Sequence, residues 1–221
     1  QAQPRHPAQG GKMSCLLLEG GLPETIDGVP IYADYRNMIR FEQILDDDGL
    51  TDVQKTVLGV SQLFDELPPG GLERAVDRLN WFYSRGKNAD AEDKQQGGKK
   101  AVRAYDLTYD ADASCIYAAF RQAYQIDLIE IPYLHWWAFL ALLENLPDST
   151  AMAQRMQLRA MDVKGIKDKK MREHYAKLQK QVALPAKAAA RPRKVESMAD
   201  RVKRRHAEAQ AELERRRLHG V

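Results

Sequence analysis

Apolar residues recur along most of this chain at intervals of three and four, the spacing that gathers side chains on one face of an α-helix. Asp34 offers an N-cap to a first helix carrying Tyr35, Met38, Ile39, Phe41, Ile44 and Leu45, which the acidic turn Asp46-Asp47-Asp48-Gly49 ends. Thr51 and Gln54 form a capping-box pair ahead of Val53, Val57, Leu58, Val60 and Leu63, and Pro68-Pro69-Gly70-Gly71 stops this second helix near Leu67. A third stripe joins Leu72, Ala75, Val76, Leu79, Phe82 and Tyr83, with Gly86 suited to the left-handed residue that closes a helix.

The pattern continues in the second half. Asp110 is placed to cap a fourth helix bearing Ile116, Ala119, Phe120, Ala123 and Tyr124. Pro132 suits the first position of a fifth, apolar around most of its circumference, because its missing N–H would have no partner there. Pro147 ends that helix and Asp148-Ser149-Thr150 caps a sixth through Met152, Met156 and Met161. Past Gly165 a seventh carries Met171, Tyr175, Leu178 and Val182 within a basic surface. From Val195 to about Leu218 the charged pattern predicts one long helix supported by pairs such as Asp200 with Arg204 and Glu212 with Arg216.

Period two appears once. Thr25-Ile26 and Val29-Pro30-Ile31-Tyr32 flank Asp27-Gly28, a pair that accepts positive φ at little cost, and so predict a small hairpin with Pro30 at an edge. The fold class is therefore mainly α: a bundle-like helical domain with an N-terminal β-hairpin and a long charged C-terminal helix. Its expected divisions are a disordered segment at 1–22, a globular domain at 23–185 with a mobile loop at 87–104, and a basic helical tail at 186–221. The loop is assigned on its charge, Gln and Gly content and its want of anything to bury.

Charge and composition narrow the function. The formal charge of +3 names no partner, but Pro185 to Val221 holds eleven Lys and Arg against five Asp and Glu, leaving the rest mildly acidic. Cys15 and Cys115 are the only cysteines and lack any paired spacing, which excludes a disulfide framework or zinc cluster. The longest apolar stretch, Ile131 to Leu143, is interrupted by His135 and falls short of the roughly 20 residues a membrane span needs. Gln1 to Lys12 lacks the apolar core of a signal peptide, so Met13 is a candidate start and the preceding stretch a candidate for upstream coding sequence.

No P-loop, GxGxxG turn, GxSxG elbow, HExxH or calcium loop is present. Gly70-Gly71 and Gly97-Gly98 lack the strand and helix that phosphate cradling needs, and read as turn and linker. The histidines His6, His135, His174, His206 and His219 are scattered, so neither metal nor cofactor is expected. His135, beside Trp136 and Trp137, is the candidate for a pKa lowered by burial against aromatics. Trp136, Phe139, Leu140 and Leu143 offer either a groove for a partner helix or, since both faces of the segment are apolar, the central helix of the core. Asp46, Asp47 and Asp48 read as a solvated helix end rather than a cation site.

These readings favour a binding protein without catalysis, with His135, Trp136, Trp137, Arg204 and Arg205 as candidate partner contacts. The tail clusters around Arg193, Arg204 and Arg216 would serve phosphates, yet acidic residues interrupt them and aromatics for base stacking are absent.

One resemblance rests on Asp34-Tyr35-Arg36 through Ile39-Arg40-Phe41-Glu42, Phe82-Tyr83-Ser84-Arg85-Gly86, Tyr109-Asp110, Tyr117-Ala118-Ala119-Phe120, Ile126-Asp127-Leu128, Leu134-His135-Trp136-Trp137-Ala138-Phe139, Arg159-Ala160-Met161-Asp162 and Lys167-Asp168-Lys169-Lys170. In that order, from about Pro23 to Pro185, the chain resembles the bacteriophage gene-product-fifteen family of tailed phages and prophages. It departs at Gln125, where glycine is usual, and at Ala138, where lysine often follows the tryptophans. The resemblance implies a tail-morphogenesis role, with a gene position between the major tail protein and the tape measure that is typical of tail assembly chaperones. It implies the tape measure, and with it the major tail protein, as partners, and offers no catalytic residues to carry over. Such a chaperone would act in the host cytoplasm, be absent from the finished virion and have the option of homo-oligomers. A nucleic-acid-binding accessory role through the tail, and a structural place in the virion tail, are the competing expectations.

Overall fold

The computed structural model describes residues 21–86 and 107–184. The segment before them, the loop expected at 87–104 and the basic tail expected at 186–221, with its long helix and Arg204 and Arg205, lie outside the described residues. Gly21 is buried and Leu22 already packs on the core, so the described body begins ahead of Pro23.

The chain opens with the antiparallel hairpin β1 (Thr25–Ile26) and β2 (Val29–Pro30), in register Thr25 with Pro30 and Ile26 with Val29. Asp27 and Gly28 take φ of 51° and 84°, as a two-residue turn of primed type requires. The Asp27 carboxylate is also what ties the turn down: it accepts from Arg78 Nε and Nη2, both at 2.8 Å, and from Arg74 Nε at 2.9 Å. The Arg78 hydrogen bond leads in holding its pKa below the ordinary carboxylate value.

Seven α-helices follow among the described residues: α1 (Tyr35–Asp46), α2 (Asp52–Ser61), α3 (Gly71–Tyr83), α4 (Ala113–Tyr124), α5 (Trp136–Glu144), α6 (Ala151–Ala160) and α7 (Lys169–Gln181). Polar side chains set most of their starts. Asp34 accepts from Arg36 N, Thr150 from Ala153 N and Asp168 from Met171 N, while Thr51 and Gln54 complete the capping box of α2. Helix α1 packs on α2 and α5, α2 on α3, and α4 on α6, which carries α7.

Three boundaries differ from the sequence reading. Helix α2 ends at Ser61 rather than near Leu67, because Leu63 and Phe64 turn into the core, where Phe64 bridges Ile31 and the Leu63 carbonyl accepts from Tyr32 N at 2.8 Å. Gly86 closes α3 in the left-handed region as expected, with φ of 74°, and Arg85 before it shares that region at 57°; the Gly86 N–H reaches the Trp81 carbonyl at 2.8 Å, as in a Schellman turn. Helix α4 starts after Asp112, not Asp110: the Asp110 carboxylate instead accepts from Gln43 Nε2 at 2.9 Å. Helix α5 starts after His135, not at Pro132, because His135 bridges Asp34 and the Leu134 carbonyl is taken by Tyr35 N at the start of α1.

One core joins both halves of the chain. Phe139 stacks on Tyr35, Phe120 and Trp136 at centroid distances of 4.6, 5.2 and 5.8 Å, and Trp136 stacks on Tyr83 at 5.6 Å. The two indoles find acceptors at the end of α3, Trp136 Nε1 on the Tyr83 carbonyl at 3.1 Å and Trp137 Nε1 on the Phe82 carbonyl at 2.7 Å. Of the two readings of Trp136, Phe139, Leu140 and Leu143, the central helix of the core is the one the structure adopts, since all four are buried.

Candidate partner-binding face

The Leu134-His135-Trp136-Trp137 segment holds the fold together from within. His135 is 3% exposed and Trp136 and Trp137 are 1% and 6% exposed, so none of the three presents a surface to a partner. His135 Nδ1 accepts from Trp137 N at 3.0 Å, capping α5, and its Nε2 contacts the Pro23 carbonyl at 3.1 Å. These two contacts call for the neutral imidazole with its proton on Nε2. Burial lowers the His135 pKa below 6.5, against the opposing pull of the Pro23 carbonyl and Glu24. Around it the starts of α1 and α5 interlock: Tyr35 N donates to the Leu134 carbonyl at 2.9 Å, Trp136 N to the Ala33 carbonyl at 2.8 Å, and Leu134 N to Asp34 Oδ2 at 3.1 Å.

A second polar centre fastens α4 to α6. Asp112, fully buried, accepts from Arg159 Nη1 and Nη2 at 2.7 and 2.9 Å, from Arg155 Nη1 at 3.0 Å and from Thr108 N at 3.0 Å. Desolvation pushes its pKa up, but the Arg159 and Thr108 hydrogen bonds prevail and the carboxyl ends below its ordinary value. Each of these polar groups is committed to holding main chain or another helix, and among the described residues no group of three or more His, Cys, Asp or Glu is arranged to hold a metal ion.

What the body does present is an apolar face on α2. Eight large hydrophobic residues are exposed among those described, and five of them, Tyr32, Val53, Val57, Leu58 and Leu67, belong to α2 or to chain adjoining its C-terminal end. Val53 at 60% and Val57 at 51% lie one turn apart. They face outward because the helix turns its small residues inward: Thr56 and Gly59 are buried beside Val60. A Cβ at Gly59 would stand 2.9 Å from the Phe41 ring, so only glycine allows α1 this close. The Thr56 hydroxyl is satisfied within the helix, on the Asp52 carbonyl at 2.8 Å.

The sequence reading named Val53, Val57, Leu58, Val60 and Leu63 as the apolar residues of this helix without saying which of them the core would take. The signal that distinguishes the arrangement is the Thr56-Gly59 pair: with apolar residues on more than one side of a ten-residue helix, close packing favours the side with the least bulk. The Val53 and Val57 side chains, with no ring nitrogen, thiol or carboxylate among them, can exclude water from another apolar surface and do little else.

The comparisons agree with the residues that build this body. No curated protein and no solved structure matches the chain. The family described as Bacteriophage Gp15 protein matches residues 25–184, from the first strand of the hairpin to just beyond α7. The chain therefore belongs to the Bacteriophage Gp15 protein family.

Proposed function

We propose that this protein is a non-enzymatic phage tail assembly factor, a chaperone that binds the tape measure protein while the tail forms. The single observation that carries the reading is the α2 face, an apolar surface on a body whose principal buried polar groups already serve structure. A long helical client with exposed apolar stripes would aggregate if left bare, and a helix face of this kind can cover such a stripe without altering it chemically. Many copies along one client would be held by the high effective concentration of neighbouring sites, although each contact is weak. The same reading has the protein act in the host cytoplasm, release the client as tube protein polymerises, and be missing from the mature particle.

Co-expression with the tape measure tests this. The expected result is a soluble tape measure that co-purifies with the chain, and a complex that weakens when Val53 and Val57 are changed to Ser; an insoluble, unaccompanied tape measure overturns the reading. Mass spectrometry of purified particles separates a chaperone, expected to be absent, from a stoichiometric component of the tail.

A second reading has its own observation. Helix α7 exposes Lys169, Lys170, Lys177 and Lys180, a positive surface suited to phosphates. As a nucleic-acid accessory the chain would bind duplex DNA with an affinity falling steeply in salt, and would lose much of it on removal of 195–221.

A further inference from the structure

Helix α7 is fastened to the body along one side. Arg172 and Gln179 share that side: Arg172 Nη1 donates to the Ile166 carbonyl at 3.0 Å, and Gln179 Nε2 to the carbonyls of Leu158, Arg159 and Met161. Met171 and Leu178, also seven residues apart and so within about 20° of each other, lie about 100° round the helix from it. Met171 is 49% exposed and Leu178 is half-buried, so the edge of this apolar pair is left open. Lys170 and Lys177 stand about 100° further round, with the exposed His174 and Gln181 in between. Both lysines are exposed, and neither ammonium is paired with another described residue.

We propose that this open edge of α7 docks an amphipathic helix of a partner protein, one whose apolar stripe is bordered along one flank by Asp or Glu. The apolar stripe covers Met171 and the open part of Leu178, and carboxylates about 10 Å apart, one heptad along the partner, meet Lys170 and Lys177. Docking buries apolar surface on a helix that has no buried residue of its own. A phosphate backbone fits this edge less well: Glu173 sits among the lysines, paired with Lys169 at 4.0 Å, and Met171 has nothing to offer a phosphate. The chain's own residues 185–221, with eleven Lys and Arg against five Asp and Glu, would bring like charge, and so would α7 of a second copy. The inference uses no residue of α2 and stands apart from the client reading of that face.

Two synthetic amphipathic peptides of about twenty residues, identical in their apolar stripe and carrying either Glu or Lys along one flank, test this by fluorescence anisotropy against the full chain. The expected result is that the Glu peptide binds about tenfold more tightly at low salt, an advantage that shrinks as screening shortens the reach of the charges. Lys170→Gln with Lys177→Gln should abolish the preference, and Met171→Ser should weaken both peptides. Amide exchange from Lys169 to Gln181 should slow when the Glu peptide is added. Val53→Ser with Val57→Ser should leave the preference intact, which separates this edge from the α2 face. All of these positions are exposed, and circular dichroism of each variant checks that the fold is kept. A preference unchanged in the lysine variant would assign the acidic peptide to residues 185–221 and overturn the proposal, as would equal affinities. So would a duplex DNA that binds more tightly than the Glu peptide and loses that affinity in the lysine variant, or a dimer of the chain that the lysine variant dissolves.

Discussion

Helices α5 and α7 are held to the same body by opposite means. In α5, Trp136, Trp137, Phe139, Leu140 and Leu143 are buried, the rings stack on α1, α3 and α4, and only the indole N–H groups need polar partners. In α7 no residue is buried. Its attachment is polar: Gln179 Nε2 serves the carbonyls of Leu158, Arg159 and Met161 at 3.0, 3.2 and 3.0 Å, and Arg159 Nε donates to the Val182 carbonyl. Burial of a large apolar helix contributes to global stability, whereas a few partly exposed hydrogen bonds set only how often a peripheral helix opens. The body is thus rigid at its aromatic centre and more easily opened at its basic edge.

The contrast can be broken most forcefully at Trp136. Trp136→Ala should cost about 3–5 kcal/mol in urea unfolding, because the void lies among stacked rings that cannot collapse into it. Asp112→Ala comes next: it takes the carboxylate away from Nη1 and Nη2 of Arg159, whose side chain is 8% exposed, and should cost about 3 kcal/mol while also loosening α7, seen as faster amide exchange from Lys169 to Gln181. An acid titration separates the two centres. Both groups have a folded pKa depressed below the unfolded value, so each contributes stability above that value and loses it as pH falls. For His135 the loss sets in as pH drops below 6.5, and for Asp112 only below 3.8. His135→Gln, which keeps a capping acceptor but does not titrate, should flatten the upper step in a melting-temperature profile.

Smaller effects sharpen the picture. Gln179→Ala should cost at most about 1 kcal/mol globally yet raise exchange in α7, leaving α5 protected; uniform loss of protection would show that α7 is part of the cooperative core. Gln125, with φ of 57°, closes α4 in the left-handed region, its N–H on the Arg121 carbonyl at 3.2 Å. Gln125→Gly should stabilise by about 0.5–1 kcal/mol in the same assay, since a side chain there is strained.

Much of this was readable from the chain alone. The turn Asp27-Gly28, the caps Asp34, Thr51 and Thr150, and the aromatic character of α5 follow from local backbone preferences and apolar periodicity, which act over a few residues and so leave their mark in a short window. The start of α5 was not readable, because His135 becomes a cap only when Asp34 and Pro23, about a hundred residues away, are brought beside it. Asp112 displaced Asp110 for the same reason, since Arg155 and Arg159 reach it from another helix. The outward turn of Val53 and Val57 was decided by Phe41, which takes the space that Gly59 leaves open. Periodicity shows that a helix has an apolar side, but which side is covered depends on how closely its neighbours approach, and that is settled only when the helices pack.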